Sequence, residues 1–463
     1  MMHAPGPRLY LSALHKGSGK TSIATGLAAA LHQRGVVIRP FKRGPDYIDP
    51  GWLTLAAGTP CRNLDFHTMT REEIRTEVAF ADSWALIEGN KGLHDGVDPD
   101  GSDSNAALAA ELQAPVVLVI DSRGMTRGIA PTVMGHANFD PHLRIAGVIL
   151  NRVGSQRHER KLRQALATYT DLPVLGAIPE DPALHIDAPY LGLIPAAEQT
   201  QAHRIVARLG RQIREHLDLA ALEAAARAAP PLTVPVPAKP SAAADHRSVH
   251  IGIARDRALN FYYPGDLEAL ERSGARLSWV DLLTDTALPP VDGLILGGGF
   301  PERHAAELAN NHAMRTAIAQ AAANGLPIHA ECGGLVYLSR CLHTAEGSHA
   351  MAGVLPIETE MTDRPQGHGY AALQPTIEAP WWPAEEAGPL PAHEFHYSRL
   401  TAPAPPEIPR AYHLARGHGL GDGTDGLVVG NTLAAYAHLR DTSACPWTSR
   451  FLAFIRHQRG TPL

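Results

Sequence analysis

Twice in 463 residues the chain runs a short apolar strand into a glycine-rich turn and out into a helical pattern, and each turn carries reactive side chains. Leu11–Ser22 reads LSALHKGSGKTS, and Leu326–Leu335 reads LPIHAECGGL. The surrounding runs extend the pattern. Leu9–Leu14, Val36–Phe41, Trp84–Ile87, Val116–Ile120, Ile145–Leu150 and Val174–Ile178 are short, often β-branched and bounded by Gly, Pro or Asp. Amphipathic stretches such as Ser22–Arg34 and His158–Tyr169 lie between them. That alternation predicts an α/β fold, with a doubly wound parallel sheet over residues 1–225. The stretch 226–247 is dense in Pro and Ala and reads as a linker. A second α/β series over 248–463 starts at His250–Ala254 and continues through Gly293–Leu296 and Pro327–Ala330. Ala379–Pro391, with Trp381, Trp382 and several prolines, is expected as a surface loop, and no internal repeat is found.

Composition removes several classes of function. A formal charge of -6 gives a nucleic-acid partner no support. No apolar run reaches the roughly 20 residues that cross a bilayer, and the opening MMHAPGPRLYLSAL lacks the basic and apolar regions of a signal peptide. Cys61, Cys332, Cys341 and Cys445 show no CxxC spacing and read as reduced thiols. A cytoplasmic location is the expectation.

The first turn is a phosphate-binding loop that lacks the first glycine of GxxxxGK[ST], because Leu14 stands there. Gly17 and Gly19 let backbone N–H groups close around phosphate at a helix N-terminus, with Lys20, Thr21 and Ser22 following. Lys20 is expected on the β/γ-phosphates of ATP and the Thr21 hydroxyl on Mg2+. Glu88, ending the strand ALIE, is a second candidate for the metal, and Asn151, ending IAGVILN, could read the edge of a base or merely cap its strand. FKRGPDYIDP places Lys42, Arg43, Asp46, Tyr47 and Asp49 after another strand, and EGNKGLHD does the same for Lys91 and Asp95. In a doubly wound sheet such strand ends face the ligand crevice.

The second turn is a nucleophile elbow. Cys332 follows a strand and precedes an expected helix, Leu335–Cys341, whose N-terminus favours thiolate. Gly333 and Gly298, the latter from the run Gly297–Gly299, are candidate oxyanion donors. His438 in LAAYAHL is the preferred base, with His393 and His396 of HEFHYS as rivals. A chain with both turns reads as an enzyme that makes ammonia at one site and consumes it at an ATP-driven one.

With these residues assembled, the chain resembles the cobyrinic acid a,c-diamide synthases, two-domain enzymes that amidate tetrapyrrole carboxylates with ATP and glutamine. GSGKT, FKRGPDYIDP, APVVLVIDSRGM, IAGVILNRVGS, NFYYPGDLEAL, LILGGGFPERHAAELANN, HAECGGLVYL and HEFHYS occur in that family's order along the whole chain. The resemblance implies a dethiobiotin synthetase-like first domain and a class I glutamine amidotransferase second domain. It implies Cys332 as glutaminase nucleophile, His438 as its base, and Lys20 and Thr21 on ATP. Asp46, Tyr47, Asp49, Glu88 and Asp95 would fall in the synthetase pocket, with Thr21, Asp46 and Glu88 as the metal set. Lys42, Asp46, Tyr47, Asp49, Lys91 and Asp95 are the candidate contacts to a tetrapyrrole polycarboxylate. Glutamine and this tetrapyrrole are the expected small-molecule partners, and a homodimer is left open.

Three departures stand out. The acid that class I glutaminases often carry two residues beyond the histidine is Arg440 here. Asn90-Lys91 replaces a hydrophobic pair, and SDSNAALAAEL replaces a STAELA-type run. The last two resemble relatives that amidate sirohaem or sirohydrochlorins, so that ring is the expected substrate, with cobyrinic acid as the alternative. A P-loop ATPase switch is the non-enzymatic alternative, and it has no need of the cysteine elbow.

Overall fold

A computed structural model describes residues 6–79, 83–181, 196–232, 234, 248–382 and 388–460, with side chains of 196–200 excepted. The chain divides into two compact units, Met1–Ala238 and Lys239–Leu463. The division falls in the stretch read as linker, of which residues 233 and 235–247 lie outside the described residues.

The first unit is built on seven strands: β1 (Arg8–Ala13), β2 (Ile38–Arg43), β3 (Arg62–Leu64), β4 (Trp84–Glu88), β5 (Val116–Asp121), β6 (Ile145–Val153) and β7 (Val174–Pro179). Their order is β3-β2-β4-β1-β5-β6-β7, and every pairing is parallel. Strands covered on both faces read as continuous apolar runs, which is why six of the seven were legible. β3 has three residues and no such run.

Helix α1 (Lys20–His32) follows β1. It is buried almost all round rather than amphipathic, because helix Ala196–His216 covers its outer side. Leu27, Ala28 and Leu31 share one core with Val206 and Ile213. The small Ala-rich face of α1 permits this close layering.

The second unit carries a nine-stranded sheet. Five parallel strands lie in the order Ala275–Val280, β8 (Val249–Ala254), Gly293–Leu296, Ile328–Glu331 and Thr432–Ala435. Four antiparallel strands continue it through Thr424–Val429, Arg410–Arg416, Gly367–Pro375 and the edge strand Leu390–His396. The helix after Cys332 is Gly333–Leu338, and Cys341 already begins a strand, so the expected Leu335–Cys341 helix is shifted toward the nucleophile. The expected surface loop is also corrected. Trp381 and Trp382 are buried, with Trp381 packing on Phe451 and Phe454, while residues 383–387 lie outside the described set. Prolines suggested exposure, but the apolar area of two indoles outweighs them. Among the described residues no helix is long and apolar enough to cross a membrane.

Candidate active sites

In the first unit the loop from β1 to α1 turns at Gly17 and Gly19, with φ of 82° and 92°. Gly19 is held to glycine a second way, because a Cβ there would lie 2.3 Å from Asn151 Nδ2. That amide donates to the Ser18 carbonyl at 2.9 Å. Asn151 therefore shapes the phosphate loop with the nitrogen expected to read a base. Asn151, Gly19 and Ser22 also line a cleft with Arg152, Pro179 and Gln212.

Beneath the loop lies a charge cluster in which Lys42 and Glu88 are buried and Asp46 and Asp49 half-buried. The Thr21 hydroxyl donates to Glu88 at 2.7 Å and lies 3.2 Å from Asp49. Lys42 Nζ lies 2.5 Å from Asp49, 3.0 Å from Glu88 and 3.9 Å from Asp46. Burial disfavours the Lys42 ammonium, yet these three carboxylates hold its pKa above the usual value. Burial pushes Glu88 up to about 7 against the pull of Lys42. Burial also acts to raise Asp49, but there Lys42 prevails and the carboxyl is held below its usual range. Lys20 donates to the Lys91 carbonyl at 2.5 Å, and burial, with Lys42 beside it, holds it down to about 8.

Glu88 Oε2 is buried and has no hydrogen-bond partner among the described residues. A lone carboxylate oxygen beside a hydroxyl and a second acid fits a hard cation with oxygen ligands. Among the described residues no three or more His, Cys, Asp or Glu converge as a cage. A cation here would take most of its shell from phosphates and water, which suits Mg2+ better than Ca2+. Asp46 Oδ1 accepts the N–H groups of Ile48 at 2.9 Å and Asp49 at 3.2 Å, so it shapes the turn, and Asp49 is the acid on Thr21.

The other expected contacts separate. Arg43 donates to Asn90 Oδ1 and to the Asp103 carbonyl, and Asn105 bonds the backbone of Asn90 on both sides. Asn90 is thus part of an internal polar network. Lys91, at φ 35°, is exposed. Asp95 is exposed and accepts the Gly92 N–H at 2.9 Å, while Tyr47 is half-buried at the start of helix Ile48–Ala57.

In the second unit Cys332 occupies φ 48°, ψ −101°, a strained backbone held by its N–H to the Ala435 carbonyl at 2.7 Å. This is the elbow that exposes a nucleophile between strand and helix. His438 follows the neighbouring strand Thr432–Ala435 and acts electrostatically on the Cys332 thiol. Its Nδ1 lies 3.4 Å from Glu331 Oε2. Burial alone would lower His438, but the hydrogen bonds to Cys332 and Glu331 push it up to about 10. Burial would likewise raise Glu331, and the hydrogen bonds from His329 and His438 hold it at about 2. An imidazolium beside a thiol is what stabilises a reactive thiolate.

The rival histidines have other partners. His393 stacks on the His438 ring at 4.8 Å and 15°, and the two residues exchange backbone hydrogen bonds at 2.8 and 3.2 Å. His396 stacks on Tyr436 and engages the Ser398 carbonyl through Nδ1. Gly298 packs against the base, since a Cβ there would lie 2.4 Å from His438 Cε1. A Cβ on Gly333 would lie 3.0 Å from the backbone nitrogen of Gly299, which brings the glycine run to the elbow. Arg440 lies over the Tyr263 ring at 5.1 Å. Sequence reasoning passed over Glu331. A signal was present: His329 and Glu331 are two apart on a strand and so share a face beside the nucleophile.

Comparison with known proteins accords with this geometry. Residues 15–189 match the CobQ/CobB/MinD/ParA nucleotide binding domain, and residues 250–443 match the CobB/CobQ-like glutamine amidotransferase domain. The chain is 46% identical over 98% of its length to a cobyrinate a,c-diamide synthase of Magnetococcus marinus, covering 98% of that protein. It is 39% identical to proteins of the same name from Syntrophotalea carbinolica, over 97% of this chain and 99% of that one, and Methanosarcina acetivorans, over 94% and 92%. The nucleotide-binding unit, the cysteine elbow and these full-length relatives together place the chain in the cobyrinate a,c-diamide synthase family.

Proposed function

We propose that the protein uses ATP and glutamine to amidate acetate carboxylates of a tetrapyrrole. One observation carries the reading: a Cys332–His438 pair on an elbow and a Lys20–Thr21–Glu88 phosphate site occur in one chain. A carboxylate is a poor electrophile, so its oxygen takes the γ-phosphoryl group of ATP, giving an acyl phosphate and ADP. Lys20 stabilises charge on the transferring group. Thr21, Glu88 and Asp49 would hold Mg2+, which supplies further charge stabilisation when bound. At the other site the Cys332 thiolate attacks the glutamine amide, and His438 gives its proton to the departing ammonia. Water then hydrolyses the glutamyl thioester, and ammonia displaces phosphate from the activated acetate.

The names of the relatives support cobyrinate as the ring. The sirohydrochlorin reading rests on Asn90-Lys91 and the run SDSNAALAAEL; in the structure Lys91 is exposed, and Asn105 of that run bonds the Asn90 backbone within an internal network. The test is a competition between cobyrinic acid and a sirohydrochlorin with ATP, Mg2+ and glutamine, scored by mass for each carboxyl converted to amide. Cobyrinic acid is the expected winner. Amidation of neither ring would refute the proposal.

A further inference from the structure

We propose that Glu331, the residue before the nucleophile, is the positioning acid of the glutaminase site, standing in for the acid absent at Arg440. This rests on the reading of Cys332 as glutaminase nucleophile. The geometry anchors one carboxylate oxygen from two sides and turns the other to the base. Oε1 accepts from His329 Nε2 at 3.0 Å and from the Leu439 N–H at 2.9 Å. Oε2 then faces His438 Nδ1 at 3.4 Å. A carboxylate only accepts hydrogen bonds, so the ring nitrogen of His438 that faces it, Nδ1, carries a proton, and the carboxylate favours the imidazolium beside the thiol. His329 is in turn braced by stacking on Trp447 at 4.6 Å and 25°, and Trp447 Nε1 donates to Asp266 at 2.9 Å. The brace therefore passes from the last helix of the unit, through strand Ile328–Glu331, to the base.

The other groups around His438 do not compete for this role. His393 stacks on its face, with Nδ1 3.4 Å from the Tyr263 hydroxyl. Arg440 lies over Tyr263. The Asp425 carboxylate is taken up by the backbone N–H groups of Gly426, Tyr436 and Ala437. Cys332 is the group being activated.

Glu331→Gln tests the assignment because it is nearly isosteric. His329 and Leu439 both donate, so they retain the amide oxygen at the Oε1 position and the amide NH2 faces His438 Nδ1. The imidazolium then meets a donor where it had a carboxylate, so the protonated base beside Cys332 is no longer supported. In a serine protease the corresponding change costs about 10⁴-fold in kcat, and a loss of roughly 10²- to 10⁴-fold is expected here. KM for glutamine and ammonia-dependent synthesis should hold. The alkaline limb of Cys332 alkylation by iodoacetamide should move to lower pH, since His438 loses its anionic partner. Glu331→Asp keeps the charge but withdraws it, so that limb should stay while kcat falls roughly tenfold. Wild-type glutaminase activity in either variant would overturn the proposal, as would an unmoved alkylation limb in Glu331→Gln. Cys332→Ala is run alongside: glutaminase activity surviving in that variant would refute the parent reading instead.

Discussion

Gly298→Ala isolates the geometry of the base from every other function of the glycine run. Gly298 is not among the residues with positive φ, so alanine brings no backbone strain, and the N–H expected to serve the oxyanion is retained. What changes is one methyl group placed 2.4 Å from His438 Cε1. Carbon–carbon contact is comfortable at about 3.5 Å, so the ring must withdraw by about 1 Å. It has little freedom to do so smoothly. His393 covers one face, and the backbone on both sides is tied, by His393 at residue 438 and by Glu331 at residue 439. A displacement of about 1 Å at a catalytic group costs about 10²-fold, equivalent to roughly 2.7 kcal/mol of transition-state stabilisation. The assay is glutamine hydrolysis and glutamine-dependent amidation against ammonia-dependent amidation, with thermal melting as a control. The first two should fall together while the third holds, and the melting temperature should drop by only about a few degrees, as expected for one methyl group forced into a packed site. Glutaminase activity within threefold of wild type would refute the argument, because it would mean the ring accommodates the methyl without losing register on Cys332.

Other expectations follow from the two sites. Cys332→Ala should abolish glutamine-dependent synthesis and spare the ammonia-dependent reaction, whereas Lys20→Ala should remove both, since no acyl phosphate forms; product mass spectrometry with each nitrogen source distinguishes them. The second unit should also lose stability as pH rises toward 10. Folded His438 keeps its proton to about 10 against 6.5 when unfolded, so its contribution is complete below 6.5 and fades as pH climbs through 10. Glu331 acts in the opposite sense: held at about 2 against 4.5, it contributes above 4.5 and is lost as pH falls toward 2. Melting curves across pH should show both slopes, and His438→Gln should flatten the alkaline one.

How much could be read without coordinates depended on how local the cause was. GSGKT and HAECGG are local: glycine torsions, a strand before and a helix after are written in a dozen residues, so both turns and the parallel sheet of the first unit were legible, while the four antiparallel strands that extend the second sheet were not. The long apolar strands were legible for the same reason, since burial on two faces leaves continuous hydrophobic runs. The composition of each site was not. Asp46 and Asp49 are three residues apart, one before helix Ile48–Ala57 and one in its first turn, and only the turn that Asp46 caps decides that Asp49 meets Thr21. Asn90-Lys91 read together as a pointer to the substrate ring, but the backbone twist at Lys91 sends one side chain into an internal network and the other to solvent. Trp381 and Trp382 needed the last helix before they could be buried. The base shows the division most clearly. His438 and Glu331 are 107 positions apart and become neighbours only because strands Ile328–Glu331 and Thr432–Ala435 pair in parallel. Residue types and local turns settled which chemistries the chain could carry; sheet register, a long-range property, decided which acid faces which base.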